Sequence, residues 1–165
     1  MSDILRIFVV VLLLTLSLSA YFLVINALFA LRIAKTRTII QTVPGRSFGI
    51  GLVNFAFFAV IAIVLISISE KIGNGFFKGV IMLPALISIA LLTIMLSLGL
   101  TAMSNHIGEK ITSDAISWKQ TVWGTVCLSF ACALPFVGWF LLLPYVGLVG
   151  IGAFILGLFH RESKI

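Results

Sequence analysis

Catalysis inside a membrane needs ionisable or nucleophilic groups at depth, because such groups are costly there and persist only for a purpose. This chain has five acidic residues (Asp3, Glu70, Glu109, Asp114, Glu162) and two histidines, His106 and His160. All seven lie at the ends of apolar runs or between them. There is no HExxH pair to hold zinc, no neighbouring carboxylates for acid–base work, and no Ser/His/Asp set. Gly49-Ile50-Gly51 lacks the third glycine of a dinucleotide loop and stands in apolar surroundings. Cys127 and Cys132 are five apart within an apolar run, outside any CxxC pair, and read as small core residues. The expectation is a protein that is not an enzyme and carries no metal or cofactor.

The polar residues that do fall within apolar runs are neutral: Asn26, Asn54, Ser88, Thr93, Ser97, Thr101 and Ser129. A coupled ion transporter would place a charge near the midplane. Asn26 and Asn54 are therefore read as hydrogen-bond partners between helices, with a role in lining an oligomeric pore as the alternative. Gly147, Gly150, Ala153 and Gly157 form a small-residue face that lets helix backbones approach closely, first within the chain and otherwise against a second subunit.

The elements that must position these residues follow from composition. With 61% hydrophobic residues against 10% charged, the chain lacks the polar surface of a soluble domain. Apolar runs of twenty and more residues, without ten-residue alternation, select helices over a barrel. The predicted fold class is all-α, a polytopic transmembrane helical bundle in one domain. Its spans are predicted at about 7–31, 48–69, 79–104, 121–134 and 139–159. Thr121 to Phe159 is uncharged over thirty-nine residues, about 58 Å as one helix against a hydrocarbon core of about 30 Å. Pro135-Phe136-Val137-Gly138 therefore reads as a turn between two helices, with four spans plus a re-entrant segment as the alternative. The start of the first span imitates a signal peptide, but the apolar pattern runs on through Tyr21 to Leu31, so an uncleaved first helix is expected. Pro84 and Pro144 read as kinks within helices.

Between the spans, Arg32 to Ser47 carries Arg32, Lys35, Arg37 and Arg46, punctuated by isoleucines that suit a short interfacial helix ahead of Pro44-Gly45. Ser47 is expected to cap the second span. Gly73-Asn74-Gly75 signals a tight reversal. In Asn105 to Gln120, Ile107, Ile111, Ala115 and Trp118 recur at helical spacing, which predicts an amphipathic surface helix with Trp118 at headgroup level. The net charge of +6 is assigned to basic loops held at an anionic leaflet, and no nucleic-acid module is present. Five spans place eight basic residues on one side (Arg32, Lys35, Arg37, Arg46, Lys110, Lys119, Arg161, Lys164) against three on the other (Arg6, Lys71, Lys78). Four spans give six against five. The positive-inside rule then favours five spans, with the N-terminus outside and the C-terminus cytoplasmic.

One run of features is similar to a known module. A span ends in Leu31-Arg32-Ile33-Ala34-Lys35, and Pro44-Gly45-Arg46-Ser47-Phe48-Gly49-Ile50-Gly51-Leu52 opens the next helix. Gly108-Glu109-Lys110 follows the third span, then come Pro135-Phe136-Val137-Gly138-Trp139, Gly147, Gly150 and Gly152-Ala153. Over about Leu31 to Phe159 the chain resembles a widespread bacterial membrane module found fused to or beside bactofilin-like cytoskeletal domains. It departs from the fused pattern in having no β-helical domain. The resemblance implies a bacterial inner-membrane location and a scaffolding or anchoring role, with no catalytic residues to carry over. The function expected is that of a membrane scaffold, anchor or accessory subunit, in contact with lipids and with protein partners or further copies of itself. A small transport component or oligomeric pore is the alternative. The surfaces expected to meet a partner or lipid are Arg32, Lys35, Arg37, Arg46 and Trp118.

Overall fold

The computed structural model describes residues 2–72, 75–112, 116–134 and 136–159, and all secondary structure among them is helical. In chain order the elements are α1 (Ser2–Leu28), α2 (Ala30–Thr42), α3 (Pro44–Lys71), α4 (Gly75–Ile111), α5 (Ser117–Ala133), a π-helical segment (Val137–Leu142) and α6 (Leu143–Phe159). Among the described residues four stretches are long and apolar enough to cross a membrane: Leu5–Leu28, Pro44–Lys71, Gly75–Ile111 and Val137–Phe159. The chain is a membrane protein of helical class. α5, at 17 residues, is not among the four.

The boundaries differ from the expected spans for local reasons. The first helix stops at Leu28 because Phe29 leaves helical geometry (φ −124°, ψ 33°). The basic stretch expected to hold a short helix ahead of Pro44-Gly45 is helical as α2, thirteen residues long. Proline disfavours helical geometry in the residue before it and suits the first helical position itself. Accordingly Val43 is extended in φ (−139°) and ends α2, and Pro44 opens α3. Ser47 therefore does not cap. It lies one turn inside α3, fully buried, and donates its hydroxyl to the Val43 carbonyl at 3.0 Å. The surface helix expected over Asn105 to Gln120 is likewise corrected. α4 runs on to Ile111 and α5 begins at Ser117, because Ser104, Asn105 and Gly108 pack directly onto α5. Gly73, Asn74, Ala115, Pro135 and residues 160–165 lie outside the described residues.

α4 passes through Pro84 without ending. At Pro144 the missing N–H is accommodated just upstream by the π-helical turn, where the Leu143 N–H reaches back to the Gly138 carbonyl. Phe136, beside the reversal, has φ 67° and ψ −64°, an expensive conformation for a residue with a side chain.

The interior is built around α6, whose Val146 to Ile155 are buried except Leu148 and Phe154. Lipid offers helices no hydrophobic reason to associate, so close packing and interhelical hydrogen bonds must hold them. Glycine provides the first. A Cβ on Gly99 would stand 2.6 Å from the Gly150 Cα, and one on Gly150 would stand 2.8 Å from the Gly99 carbonyl carbon. On the other side of α6, a Cβ on Gly51 would overlap the Leu148 carbonyl, and one on Gly152 would overlap that of Ser47. α5 joins α4 the same way, with Gly124 on the Ser104 carbonyl and Gly108 on that of Gln120.

These pairs also give the helix directions. Ser47 opposes Gly152 and Gly51 opposes Leu148, so α3 is antiparallel to α6. Leu96 meets Gly147 and Gly99 meets Gly150, so α4 is parallel to α6. Gly108 meets Gln120 and Ser104 meets Gly124, so α5 is antiparallel to α4. α1 runs with α4, from Tyr21–Ser97 (2.8 Å) to Asn26–Asn105 (2.9 Å). α2 lies on α6 and α4 at the end of the bundle that holds Asn26, Asn105 and Gln120.

Candidate functional site

α2 is held by its apolar and small positions. Ile33, Thr36, Ile39 and Ile40 are buried, spaced so that they share one face of a helix. Ile33, Ile39 and Ile40 join Leu98 and Ala102 of α4 and Val149 and Ala153 of α6 in one core cluster. Thr36 donates to the Arg32 carbonyl at 2.9 Å, so its hydroxyl is satisfied within the helix. With that face committed, Arg32, Lys35 and Arg37 lie toward the surface, Arg32 exposed and the other two half-buried. Arg46, exposed in the first turn of α3, completes the set.

Arg37 is tied to α4. Its Nη1 lies 3.6 Å from Glu109 Oε2, and Gln41 Nε2 donates to the same oxygen at 3.0 Å. Gln41 Nε2 is also 3.2 Å from His106 Nδ1. An amide nitrogen only donates, so that contact requires Nδ1 to be the unprotonated, accepting nitrogen of the ring. Arg37 Nε is buried and has no hydrogen-bond partner among the described residues. A half-exposed ion pair of this kind contributes about 0–1 kcal/mol, so its effect is to orient Arg37 more than to stabilise the fold.

Two clefts lie on either side of this tether. One of about 490 Å³ is lined by Gln41, His106, Glu109, Lys110, Met103 and Tyr145 among others. The second, about 750 Å³, is lined by Lys35, Arg37 and Arg46 over Leu31, Ile39 and Leu156. Among the described residues no carboxylate lines the second cleft.

Deeper in the bundle a neutral network joins three helices. Asn105 Nδ2 donates to Asn26 Oδ1 at 2.9 Å, and Thr121 Oγ1 donates to Asn105 Oδ1 at 2.7 Å. Asn26 Nδ2 closes the ring onto Thr121 Oγ1 at 3.4 Å. Below it Ser104 and Thr125 share a hydrogen bond of 2.8 Å, and Ser104 reaches the Thr121 carbonyl at 3.2 Å.

Of the residues singled out by sequence, the structure brings Lys35, Arg37 and Arg46 together at one cleft, with Arg32 on the same helix outside it. Trp118 is apart, 52% exposed at the start of α5, with Lys119 Nζ 5.6 Å from its ring centroid. Asn26 bridges helices, whereas Asn54 donates only to Ile50 in its own helix at 2.9 Å. Gly150 and the fully buried Ala153 sit at backbone contacts and in the core cluster respectively. A Cβ on Gly147 would meet the flexible Leu96 Cδ1 at 3.1 Å, and one on Gly157 would make ordinary contact with Ile39 Cδ1 at 3.5 Å.

Sequence reading missed the partners: Gly99, Gly51 and Gly152 in the packing, Asn105 and Thr121 in the network, and Gln41, His106 and Glu109 behind Arg37. A signal for the packing was present, since Ser47/Gly51 and Ser104/Gly108 each stand four apart on a helix. No single-helix pattern could join Arg37 to Glu109, seventy-two positions away. The chain matches no family model, no curated protein and no solved structure.

Proposed function

We propose that this protein is a non-enzymatic integral membrane scaffold, anchor or accessory subunit of a larger membrane assembly, with the basic face of α2 as its cytoplasmic working surface. The observation that carries this is the mounting of α2: three isoleucines lock it onto α4 and α6, and Arg37 is tethered to Glu109. A cationic face held rigidly on a bundle with little mass outside the apolar helices suits the docking of something else.

The topology that goes with this reading has five crossings, the N-terminus outside and the C-terminus cytoplasmic, in a bacterial inner membrane. Support for five comes from direction. Passing from α1 through α3, α4 and α5 to α6, each helix reverses the one before it, as continuous crossings require. At 17 residues α5 is about 25 Å long, short of a 30 Å core by an amount that local thinning and interfacial side chains can absorb. The eight-to-three charge ratio supports the orientation, and the resemblance to the bactofilin-linked module supports the compartment.

The transport reading relied on Asn26, Asn54 and the Ser/Thr face of α4. Asn26 has both its amide oxygen and nitrogen engaged by Asn105 and Thr121, which supports packing over passage at that position, while Asn54 bonds its own helix. The test is recovery from native membranes of the tagged wild type and of a variant with Arg32→Gln, Lys35→Gln and Arg37→Gln. The scaffold reading expects proteins in fixed ratio with the wild type and their loss from the variant. Flux through the reconstituted chain that Asn54→Leu abolishes would replace it with the pore.

A further inference from the structure

We propose that the cleft carrying Lys35, Arg37 and Arg46 seats an anionic phospholipid from the adjoining leaflet, its phosphate on the three cations and an acyl chain along the apolar wall.

The composition of the cleft selects this occupant. Three cations line the space, and among the described residues no carboxylate does. Glu109 offsets part of the Arg37 charge but lines the other cleft, so the lining on this side stays net positive through Lys35 and Arg46. The Arg37 guanidinium retains a buried donor, Nε, without a partner among the described residues, and buried donors ordinarily find one. Guanidinium groups match phosphate oxygens in geometry as well as charge. Thr38 and Thr42 also line the cleft, but their hydroxyls already donate to the Ala34 and Thr38 carbonyls, which leaves recognition to the cations.

The rest of the wall is hydrocarbon: Leu31, Ala34, Ile39, Val43 and Leu156. Leu31 is 90% exposed, so the apolar wall is continuous with the outer surface of the bundle. A free phosphate or an acidic peptide has no use for that wall, whereas a phospholipid uses both parts. At about 750 Å³ the space admits a headgroup and part of a chain. A zwitterionic lipid would bring its own ammonium against a lining that holds three cations and, among the described residues, no carboxylate.

The proposal rests on placing α2 at the membrane surface. It is tested on the isolated full chain, so its failure is a different result from the failure to recover a protein partner. The purified chain is loaded with an equal mixture of phosphatidylglycerol and phosphatidylcholine, and retained lipid is counted by native mass spectrometry. The wild type is expected to retain phosphatidylglycerol in preference. Lys35→Gln with Arg46→Gln should lower retention by about fivefold for each cation removed, while Lys71→Gln with Lys78→Gln, at the far ends of α3 and α4, should leave it unchanged. Lys35→Arg with Arg46→Lys keeps the charges and should keep the preference, which separates loss of the site from loss of the fold. Equal retention of the two lipids by the wild type would overturn the proposal and return this face to a protein partner. So would an equal drop in the Lys71/Lys78 variant, or displacement of the lipid by millimolar inorganic phosphate alone.

Discussion

Asn105 is buried to 6% exposure in a helix rich in leucine and isoleucine, and its side chain is satisfied by two other helices at once. Removing one member leaves the others facing hydrocarbon, at a cost of about 0.6 to 2 kcal/mol for interhelical bonds of this kind. Asn26→Leu and Asn105→Leu should each lower unfolding stability in detergent by that amount. The double variant should cost less than the sum, because both changes break the same bond. Asn54→Leu should be close to neutral, since only a bond within its own helix is lost. Equal losses for Asn26→Leu and Asn54→Leu would contradict the network. Sequence marked Asn26 and Asn54 alike, as neutral polar residues within apolar runs. What separates them is a rotation about the helix axis relative to neighbours far along the chain, and no local pattern encodes that.

Among the elements, the glycines sort by what they face. Gly99 and Gly150 bring backbone against backbone, which cannot yield, while Gly147 faces one methyl group and Gly157 loose side chains. Gly99→Leu or Gly150→Leu should drive α4 and α6 apart and abolish a monodisperse species on size exclusion. Gly147→Ala and Gly157→Ala should shift the melting temperature by a few degrees at most. The small-residue face of α6 was legible as a spacing, but which of its members meets a backbone depends on how the helices cross. The basic stretch that folds as α2 was half legible. Ile33, Ile39 and Ile40 show a helical stripe, while the packing partners that stabilise so short a helix lie on α4 and α6.

α5 is the element on which topology turns. After replacing Cys127 and Cys132 with serine, a single cysteine at Trp118 should react with an impermeant reagent only from the cytoplasmic face, and one at Trp139 only from the opposite face. Reaction of both from one face would make α5 and the π-helical turn a re-entrant loop. The two ends were legible in the chain, as a tryptophan near a lysine and as a proline–glycine turn. The π-helical turn before Pro144 was not, because it depends on how a missing N–H is absorbed by the residues ahead of it.

For the whole molecule, the bundle hides its last helix and exposes much of the rest. α6 is buried through its middle, from Val146 to Ile155, whereas Leu5, Ile7, Phe8, Phe57, Phe76 and Phe77 are among many large apolar side chains at the surface. Lipid can cover all of that surface, and so can other membrane helices. The distinction decides what the protein is for. A scaffold or accessory subunit offers part of this surface, together with the basic α2 face, to a fixed set of neighbours. Composition alone made the helical membrane class legible, through 61% hydrophobic residues and long uncharged runs. The neighbours are not legible in either the sequence or the fold of one chain, since lipid and protein select the same apolar side chains. The most direct measurement is the mass and composition of the assembly extracted gently from its native membrane by a C-terminal tag. The account predicts other proteins in stoichiometric amounts alongside the chain. A homo-oligomer with nothing attached would contradict it and put the pore in its place.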